Sequence, residues 1–193
     1  MLSCVRILLV PLLVVALLTK FDGKELVGLG VFLLAAATDF LDGYLARRYG
    51  LETRLGKLLD PAADKILTSA AFISLVELGR APAWMVVTII AREFAVSTLR
   101  SVAAADNRVL AAAWSGKVKT VTQIVAIALL IVQERLGAGV LAPLPRLALW
   151  VALLVTIYSG IEYGWKYGRS VLRGEVDDAE AAGEATDEPP AAG

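Results

Sequence analysis

Long apolar stretches separated by short polar links constrain the fold of this chain more than any other feature of its sequence. Six such stretches occupy most of the first 166 residues, approximately at 4–19, 25–48, 55–78, 83–104, 115–135 and 144–166. Each approaches or exceeds the roughly 20 helical residues that cross a hydrocarbon layer of about 30 Å. Only helices and closed barrels span lipid, and these stretches lack the alternation of β-strands. The sequence therefore predicts an all-α, polytopic integral membrane protein built as a six-transmembrane-helix bundle.

The composition agrees with a membrane protein and separates the chain into two parts. Hydrophobic residues make up 58% of the chain, and the mean hydropathy is +0.68, well above the average of soluble domains. We assign residues 1–173 to one membrane domain. Residues 174–193 are acidic, rich in small residues and free of aromatic ones, so they are predicted to form a disordered tail without a role in any chemistry.

Basic residues are unevenly distributed between the two ends of the predicted helices. One set of links carries five, namely Lys20, Lys24, Arg80, Arg135 and Arg146. The other set, together with the segments near the termini, carries twelve: Arg6, Arg47, Arg48, Arg54, Lys57, Arg100, Arg108, Lys117, Lys119, Lys166, Arg169 and Arg173. The positive-inside rule therefore predicts that both termini and the second set of links face the cytoplasm.

Four aspartates lie where the second apolar stretch ends and the third begins. Asp39 and Asp42 are one helical turn apart, and so are Asp60 and Asp64. A charge at the bilayer centre costs about 2.5–3.5 kcal/mol even on the insertion scale, so aspartates at such positions indicate a functional site. The chain has no histidine and one cysteine, so a metal bound here would be a hard cation held by oxygen. Two antiparallel helices would bring the carboxylate pairs face to face, which fits one or two Mg²⁺ or Mn²⁺ ions.

The plainer alternative is that these aspartates cap helices and pair with neighbouring basic residues at the membrane surface. Two periodic stripes with Gly43 and Gly56 interleaved favour the metal site over that alternative. Small residues permit close approach of the two helix backbones. Arg47, next to the first pair, offers a planar fork for phosphate oxygens. The residue types therefore predict a site that binds a diphosphate.

The spacing Asp-x2-Asp-Gly-x2-Ala-Arg-x8-Gly-x3-Asp-x3-Asp over residues 39–64 resembles the signature of the CDP-alcohol phosphotransferases. Eight positions fill it, namely Asp39, Asp42, Gly43, Ala46, Arg47, Gly56, Asp60 and Asp64. The resemblance implies a six-helix membrane fold with two bound Mg²⁺ or Mn²⁺ ions. It also implies transfer of a phosphatidyl or related group from a CDP-linked donor to an alcohol, with release of CMP.

The same resemblance implies roles for individual residues. The four aspartates become metal ligands, and Asp64 is in addition the base that deprotonates the acceptor hydroxyl. Because the chain has no histidine, a carboxylate near the metals is the available base. The residues expected to contact the cytidine diphosphate part of the donor are Gly43, Ala46, Arg47, Thr53 and Gly56.

Three further segments are similar to the bacterial phosphatidylglycerophosphate synthases. They read LLDPAADK at 58–65, AREF at 91–94 and GKVKT at 116–120. This narrower resemblance implies CDP-diacylglycerol as donor and sn-glycerol 3-phosphate as acceptor. It also suggests a homodimer. We expect the protein in the lipid of the bacterial inner membrane, with the active site on the cytoplasmic side as the charge bias indicates, and without a nucleic-acid partner.

Four basic residues near the cytoplasmic ends of the predicted helices support an anionic acceptor independently of that resemblance. They are predicted to bind the acceptor phosphate, and they are Arg92, Arg100, Lys117 and Lys119. Arg92 lies inside an apolar stretch beside Glu93, and charges there should face the bundle interior rather than lipid. Positive-inside topology alone explains Arg100 but not Arg92.

Other acceptors and one other class of protein remain open at this point. An inositol phosphate would need the same cationic pocket, whereas phosphatidylglycerol, the acceptor of cardiolipin-type synthases, would not. A divalent-cation transporter would need ligands near the bilayer midplane and a path to both sides, and the aspartates instead lie at one face. Synthases of the resembling kind begin with a stretch containing Asn-Pro-Asn, and this chain reads MLS there. We therefore expect either a start upstream of Met1 or a trimmed nucleotide site.

Overall fold

The three-dimensional structure, a computed structural model, is a bundle of helices connected by short turns. It describes the backbone of residues 2–49, 54–105, 114–137 and 139–186. Side chains are described for residue 6 and for residues 8–38, 63, 65–103, 116–137 and 139–165. Every regular element in this part of the chain is an α-helix, which confirms the predicted all-α class.

Six helices follow the six predicted stretches closely. They are α1 (Leu2–Leu18), α2 (Lys24–Tyr49), α3 (Arg54–Glu77), α4 (Ala83–Ala105), α5 (Trp114–Ile131) and α6 (Leu144–Thr186). The fifth helix ends earlier than the predicted residue 135. The chain turns there instead, with the amide of Arg135 donating to the carbonyl of Val132 at 2.9 Å.

A Schellman motif ends α3 and directs the chain into α4. Gly79 has a φ of 68°, the left-handed conformation that glycine adopts without a steric penalty. Its amide donates to the carbonyl of Val76 at 2.9 Å, and the amide of Arg80 donates to the carbonyl of Leu75 at 2.8 Å. The motif therefore places Arg80 immediately after the last turn of α3, where this residue is buried.

One apolar core joins all six helices. The first helix packs against α2 and α3, and α6 packs against α4 and α5. Contacts of α2 with α5 and of α3 with α4 and α5 connect these two groups. Each helix contributes to the core through large side chains that are almost fully buried, among them Leu17, Phe32, Phe72, Ile89, Ile127 and Leu153.

The outside of the bundle is strongly apolar. Large hydrophobic side chains are exposed on several helices, for example Leu8, Val87, Leu154, Ile161 and Trp165. Surfaces of this kind are typical of proteins that contact lipid or other proteins. Among the described residues, Leu144–Trp165 is the one segment long and apolar enough to cross a membrane by itself; it has 22 residues, and its most apolar 18-residue window has a mean hydropathy of 1.7. The six membrane spans therefore stay a prediction, although six helices are present.

The last helix extends into the acidic tail. It continues to Thr186, so the backbone of residues 174–186 is helical where the sequence predicts disorder. The physical reason is composition, because this segment is rich in alanine and glutamate, which are strong helix formers. The boundary at residue 173 between a membrane domain and a tail stays a prediction.

Candidate active site

The four aspartates of the predicted metal site lie on two helices that contact each other. Asp39 and Asp42 are in the C-terminal part of α2, and Asp60 and Asp64 are in the first half of α3. The helical backbone preserves the predicted spacing of one turn within each pair. The four side chains lie outside the described ones, so the facing arrangement of the carboxylates stays a prediction.

The residues predicted to contact the donor continue the same two helices. Gly43, Ala46 and Arg47 belong to the last turns of α2, and Gly56 belongs to the first turn of α3. Nothing beyond this backbone is described for them, and Thr53 lies outside the described residues. Their role at the donor stays a prediction.

The segment of α3 that carries Asp64 is fastened to α4. The next residue, Lys65, donates a hydrogen bond from Nζ to Oγ of Ser97. Ser97 follows Glu93 by four residues in α4, which is about 6 Å along the helix axis. The aspartate-bearing start of α3 therefore lies against the part of α4 that carries Arg92 and Glu93.

Glu93 is the centre of a polar contact between α4 and α5. Its carboxylate accepts a hydrogen bond from Nζ of Lys119 at 2.5 Å and another from Nε2 of Gln123 at 3.2 Å. Nη1 of Arg92, the preceding residue, also donates to it at 3.2 Å. Two cations from different helices thus share one carboxylate, so Glu93 draws α4 and α5 together at this level.

The contact continues to α6 through two hydroxyl groups. Nη2 of Arg92 donates to Oγ of Ser159 at 2.6 Å, and Nε2 of Gln123 donates to Oγ1 of Thr156 at 3.1 Å. We call the connected set the interhelical polar cluster, and it comprises Arg92, Glu93, Lys119, Gln123, Thr156 and Ser159. It links α4, α5 and α6 inside the bundle.

The charged members of this cluster are nearly buried. The exposed fractions of the side chains are 11% for Arg92, 12% for Glu93 and 11% for Lys119. This confirms that Arg92 and Glu93 face the interior of the bundle. Buried charges are tolerated when they are paired and hydrogen-bonded, as they are here. Two cations against one carboxylate leave an excess positive charge, which suits an anionic ligand.

The other two basic residues of the predicted acceptor site lie outside the cluster. Arg100 and Lys117 are both exposed. Arg100 is nevertheless connected to Arg92 through Tyr163, because each guanidinium carbon lies 6.0 Å from the centre of that buried ring. The structure therefore brings Arg92, Lys119 and Arg100 together through shared partners and leaves Lys117 apart from them.

Sequence reasoning missed the uncharged partners of these cations. Gln123, Thr156, Ser159 and Tyr163 were not singled out, although all four are buried. A signal was present at Gln123, a strongly polar side chain in the middle of an apolar helix. Such a residue requires a hydrogen-bond partner inside a bundle.

A second group of charges ties helix ends at the opposite end of α3. Arg80 has a side chain only 2% exposed, and its Nη2 lies 2.6 Å from Oε1 of Glu134 and 3.5 Å from Oε1 of Glu25. Its Nη1 donates to the carbonyl of Ile131 at 2.6 Å. Nε of Arg135 lies 3.7 Å from Oε2 of Glu25. We call these four charged residues the Arg80 cluster; the part of α3 between Asp64 and its C-terminal end, about 20 Å long, separates the cluster from the aspartates.

The donor chemistry of the four aspartates fits a hard divalent cation. Carboxylate oxygens are the ligands that Mg²⁺ and Mn²⁺ prefer, and this chain has no histidine to offer instead. Among the described side chains, no group of three or more acidic, cysteine or histidine residues could hold a metal. The side chains of the four aspartates are not among the described ones, so these residues remain the candidate metal ligands.

Comparison with known proteins gives consistent matches along the chain. A CDP-diacylglycerol–glycerol-3-phosphate 3-phosphatidyltransferase of Bacillus subtilis (strain 168) is 46% identical over 170 residues, which covers 82% of this chain and 88% of the relative. A Salmonella choleraesuis (strain SC-B67) protein of the same name is 35% identical over 187 residues, covering 92% and 96%. A probable phosphatidylglycerophosphate synthase of Mycobacterium tuberculosis (strain ATCC 25618 / H37Rv) is 36% identical over 165 residues, covering 84% and 77%.

The family assignment follows from a match that includes both aspartate pairs and all members of the interhelical polar cluster except Ser159, which lies one residue beyond its end. The sequence model of the CDP-alcohol phosphatidyltransferases matches residues 1–158. That range covers most of the chain and extends through the first part of α6. The chain is therefore a member of the CDP-alcohol phosphatidyltransferase family.

Proposed function

We propose that this protein transfers the phosphatidyl group of CDP-diacylglycerol to sn-glycerol 3-phosphate, giving phosphatidylglycerophosphate and CMP. The observation that carries the proposal is the 46% identity, over most of both chains, to the Bacillus subtilis protein named for this reaction. The Salmonella relative has the same name. The product is an intermediate of anionic phospholipids, so the reaction belongs to phospholipid biosynthesis.

The metal ligands in this proposal are Asp39, Asp42, Asp60 and Asp64. Members of the family generally use divalent metal ions. We assign two Mg²⁺ or Mn²⁺ ions to the site, because four carboxylates on two contacting helices balance the charge of two such ions. When bound, the ions neutralise the diphosphate and make CMP a better leaving group.

Asp64 acts as the base in the transfer. It takes the proton of the acceptor hydroxyl while the hydroxyl oxygen forms a bond to the phosphorus of the phosphatidyl group. The bond between that phosphorus and the CMP oxygen breaks, and CMP leaves with the electron pair. The residues that orient the donor for this attack are Gly43, Ala46, Arg47, Thr53 and Gly56.

Arg92, Lys119 and Arg100 hold the phosphate of the acceptor. The excess positive charge of the interhelical polar cluster supports this role, because glycerol 3-phosphate is an anion. The contact between Lys65 and Ser97 supports it as well, since it fastens the aspartate-bearing part of α3 to the same region of α4. Lys117 contributes positive charge at the surface.

We further propose how the protein lies in the bacterial inner membrane. Residues 1–173 form the membrane domain with six spans, both termini and the active site face the cytoplasm, and two copies form a homodimer. The unequal distribution of basic residues supports the orientation. The apolar exterior of the described helices supports burial in lipid.

Release of CMP from CDP-diacylglycerol by the purified protein tests the proposed function. The assay contains Mg²⁺ and, in separate reactions, glycerol 3-phosphate, an inositol phosphate or phosphatidylglycerol. We expect CMP release with glycerol 3-phosphate and phosphatidylglycerophosphate as the lipid product. Activity with another alcohol but not with glycerol 3-phosphate would overturn the acceptor, and no CMP with any alcohol would overturn the transferase.

A further inference from the structure

Gly160 lies where the side chain of Arg92 runs along the backbone of α6. A β-carbon added at Gly160 would lie only 3.0 Å from Cγ of Arg92 and 3.4 Å from its Nε. The preceding residue, Ser159, is fully buried and accepts the hydrogen bond from Nη2 of Arg92 at 2.6 Å. The glycine thus makes room for the stem of the arginine, and the serine holds its head group.

The guanidinium group of Arg92 is fixed in orientation by contacts on several sides. Glu93 accepts from Nη1 at 3.2 Å, Ser159 accepts from Nη2, and the ring of Tyr163 lies 6.0 Å from the guanidinium carbon. Nε is buried and has no hydrogen-bond partner among the described residues. A buried N–H without a partner is unfavourable, so stability alone does not explain this arrangement.

The remaining donors of Arg92 match a phosphate group. Of the five guanidinium N–H groups, Glu93 and Ser159 each engage one, and the N–H of Nε is covered. One N–H is left on each terminal nitrogen. N–H groups of the two terminal nitrogens can together bind two phosphate oxygens.

We propose that Ser159 and Gly160 are positioning residues that aim the guanidinium of Arg92 at the phosphate of the acceptor alcohol. The inference rests on the proposed function, in which Arg92 binds glycerol 3-phosphate. An arginine fixed in advance loses little conformational entropy when the phosphate binds, so its orientation contributes directly to acceptor affinity. The donor site, on α2 and the start of α3, is independent of this orientation.

The test compares Gly160→Ala with the matched control Gly164→Ala. Both glycines lie in α6 one turn apart, and a β-carbon at Gly164 meets nothing within 4 Å. We expect Gly160→Ala to raise KM for glycerol 3-phosphate about 10- to 100-fold, the effect of losing one charge-assisted hydrogen bond. KM for CDP-diacylglycerol should stay within about twofold, and Gly164→Ala should match the wild type in both constants.

Ser159→Ala is the second variant, because it removes the hydrogen-bond acceptor without adding bulk. We expect it to raise KM for glycerol 3-phosphate selectively as well, by a smaller factor than Gly160→Ala. The melting temperature of each variant in detergent shows whether it is folded. A purely structural role would alter the melting temperature or kcat and leave the ratio of the two KM values unchanged.

The outcomes separate this inference from the proposed function. A wild type that releases no CMP with glycerol 3-phosphate would overturn the proposed function, and the inference with it. An active wild type with the same KM for glycerol 3-phosphate in both variants would overturn the inference alone. So would equal increases of both KM values in Gly160→Ala.

Discussion

Two nearly buried carboxylates in this bundle are each held by two cations. Glu93 contacts Arg92 and Lys119 between α4 and α5, and Glu25 contacts two arginines at the opposite end of the bundle. The exposed side-chain fractions are similar, 12% for Glu93 and 10% for Glu25. Removing one of the two cations leaves the buried carboxylate only partly compensated, and removing the carboxylate leaves two cations without their shared partner. Single substitutions at these positions should therefore have large effects.

Replacing Arg80 with methionine should destabilise the protein strongly. The change leaves the carboxylate of Glu25 and the carbonyl of Ile131 without their buried donor. We expect the free energy of unfolding to fall by about 3–5 kcal/mol, the usual effect of breaking a buried ion pair. Denaturant or thermal unfolding in detergent measures it. Arg146→Met, at an exposed arginine nearby, is the control, and equal stability of the two variants would contradict the prediction.

Replacing Asp64 with asparagine should abolish most of the transferase activity. Asparagine keeps the size of the side chain but cannot take the proton of the acceptor hydroxyl. We expect kcat to fall by about 10²- to 10⁴-fold, the usual contribution of a general base. CMP release measures it, with Asp22→Asn as a control at an exposed aspartate of the turn before α2. Near-full activity of Asp64→Asn at neutral pH would eliminate Asp64 as the base.

At the scale of elements, a glycine sets the close approach of α1 and α2. A β-carbon at Gly28 would lie 2.5 Å from Cδ2 and 3.3 Å from Cγ of Leu17, whose side chain is only 1% exposed. Gly30, two residues later in the same helix, faces open space. The two glycines therefore differ in packing although they share one helix and the same local sequence.

Alanine should destabilise the protein at Gly28 but not at Gly30. Replacing a helical glycine with alanine gains about 1 kcal/mol, whereas overpacking a filled core costs about 1–3 kcal/mol. We expect Gly28→Ala to lower the free energy of unfolding by about 1 kcal/mol, because the added methyl group overlaps Leu17, which is itself almost fully buried. Gly30→Ala should leave it unchanged or raise it. Unfolding curves of both variants in one detergent decide the matter, and a gain for Gly28→Ala would refute the packing argument.

The elements could be predicted because their signals are local. Apolar stretches and breaker links gave all six helices, and the links at Gly23 and Gly79 contain glycines with positive φ. The early end of α5 and the extension of α6 to Thr186 were missed. In α6 the intrinsic helix propensity of alanine and glutamate outweighs a composition that is otherwise typical of disorder.

The partners within the site could be predicted only in part. The burial of Glu93 followed from its place in an apolar stretch, but Lys119 lies 26 residues away. Ser159, the partner of Arg92, lies 67 residues away. Such pairings depend on how helices pack, and a sequence pattern contains no distances between helices. The aspartate signature was visible without the structure because all eight of its positions lie within one helix pair.

At the scale of the whole molecule, the charge bias and the apolar surface support the proposed orientation. The distribution of basic residues predicts which links face the cytoplasm. Exposed apolar side chains lie on the described helices that join the two sets of links. Val140, in the link before α6, is 95% exposed, as expected for a residue outside the bundle. Residues near the C-terminus of α6 belong to the opposite side in this topology.

Cysteine labelling should confirm the proposed orientation in intact bacteria. After Cys4→Ser removes the single native cysteine, Val140→Cys and Ser170→Cys are made separately. We expect a membrane-impermeant maleimide to label the cysteine at position 140 from outside, and the one at position 170 only after the cells are permeabilised. The two sites act as controls for each other. Labelling in the reverse pattern would place the aspartates on the outer side.

The Arg80 cluster has a mechanical consequence for how a lipid-linked substrate enters. One guanidinium joins the start of α2, the turn after α3 and the end of α5, so these ends can separate only by breaking a buried ion pair. We therefore expect any relative motion of these helices to be smallest at the end that Arg80 joins. Any opening wide enough for two acyl chains would then occur at the aspartate end, which lies away from the Arg80 cluster along α2 and α3.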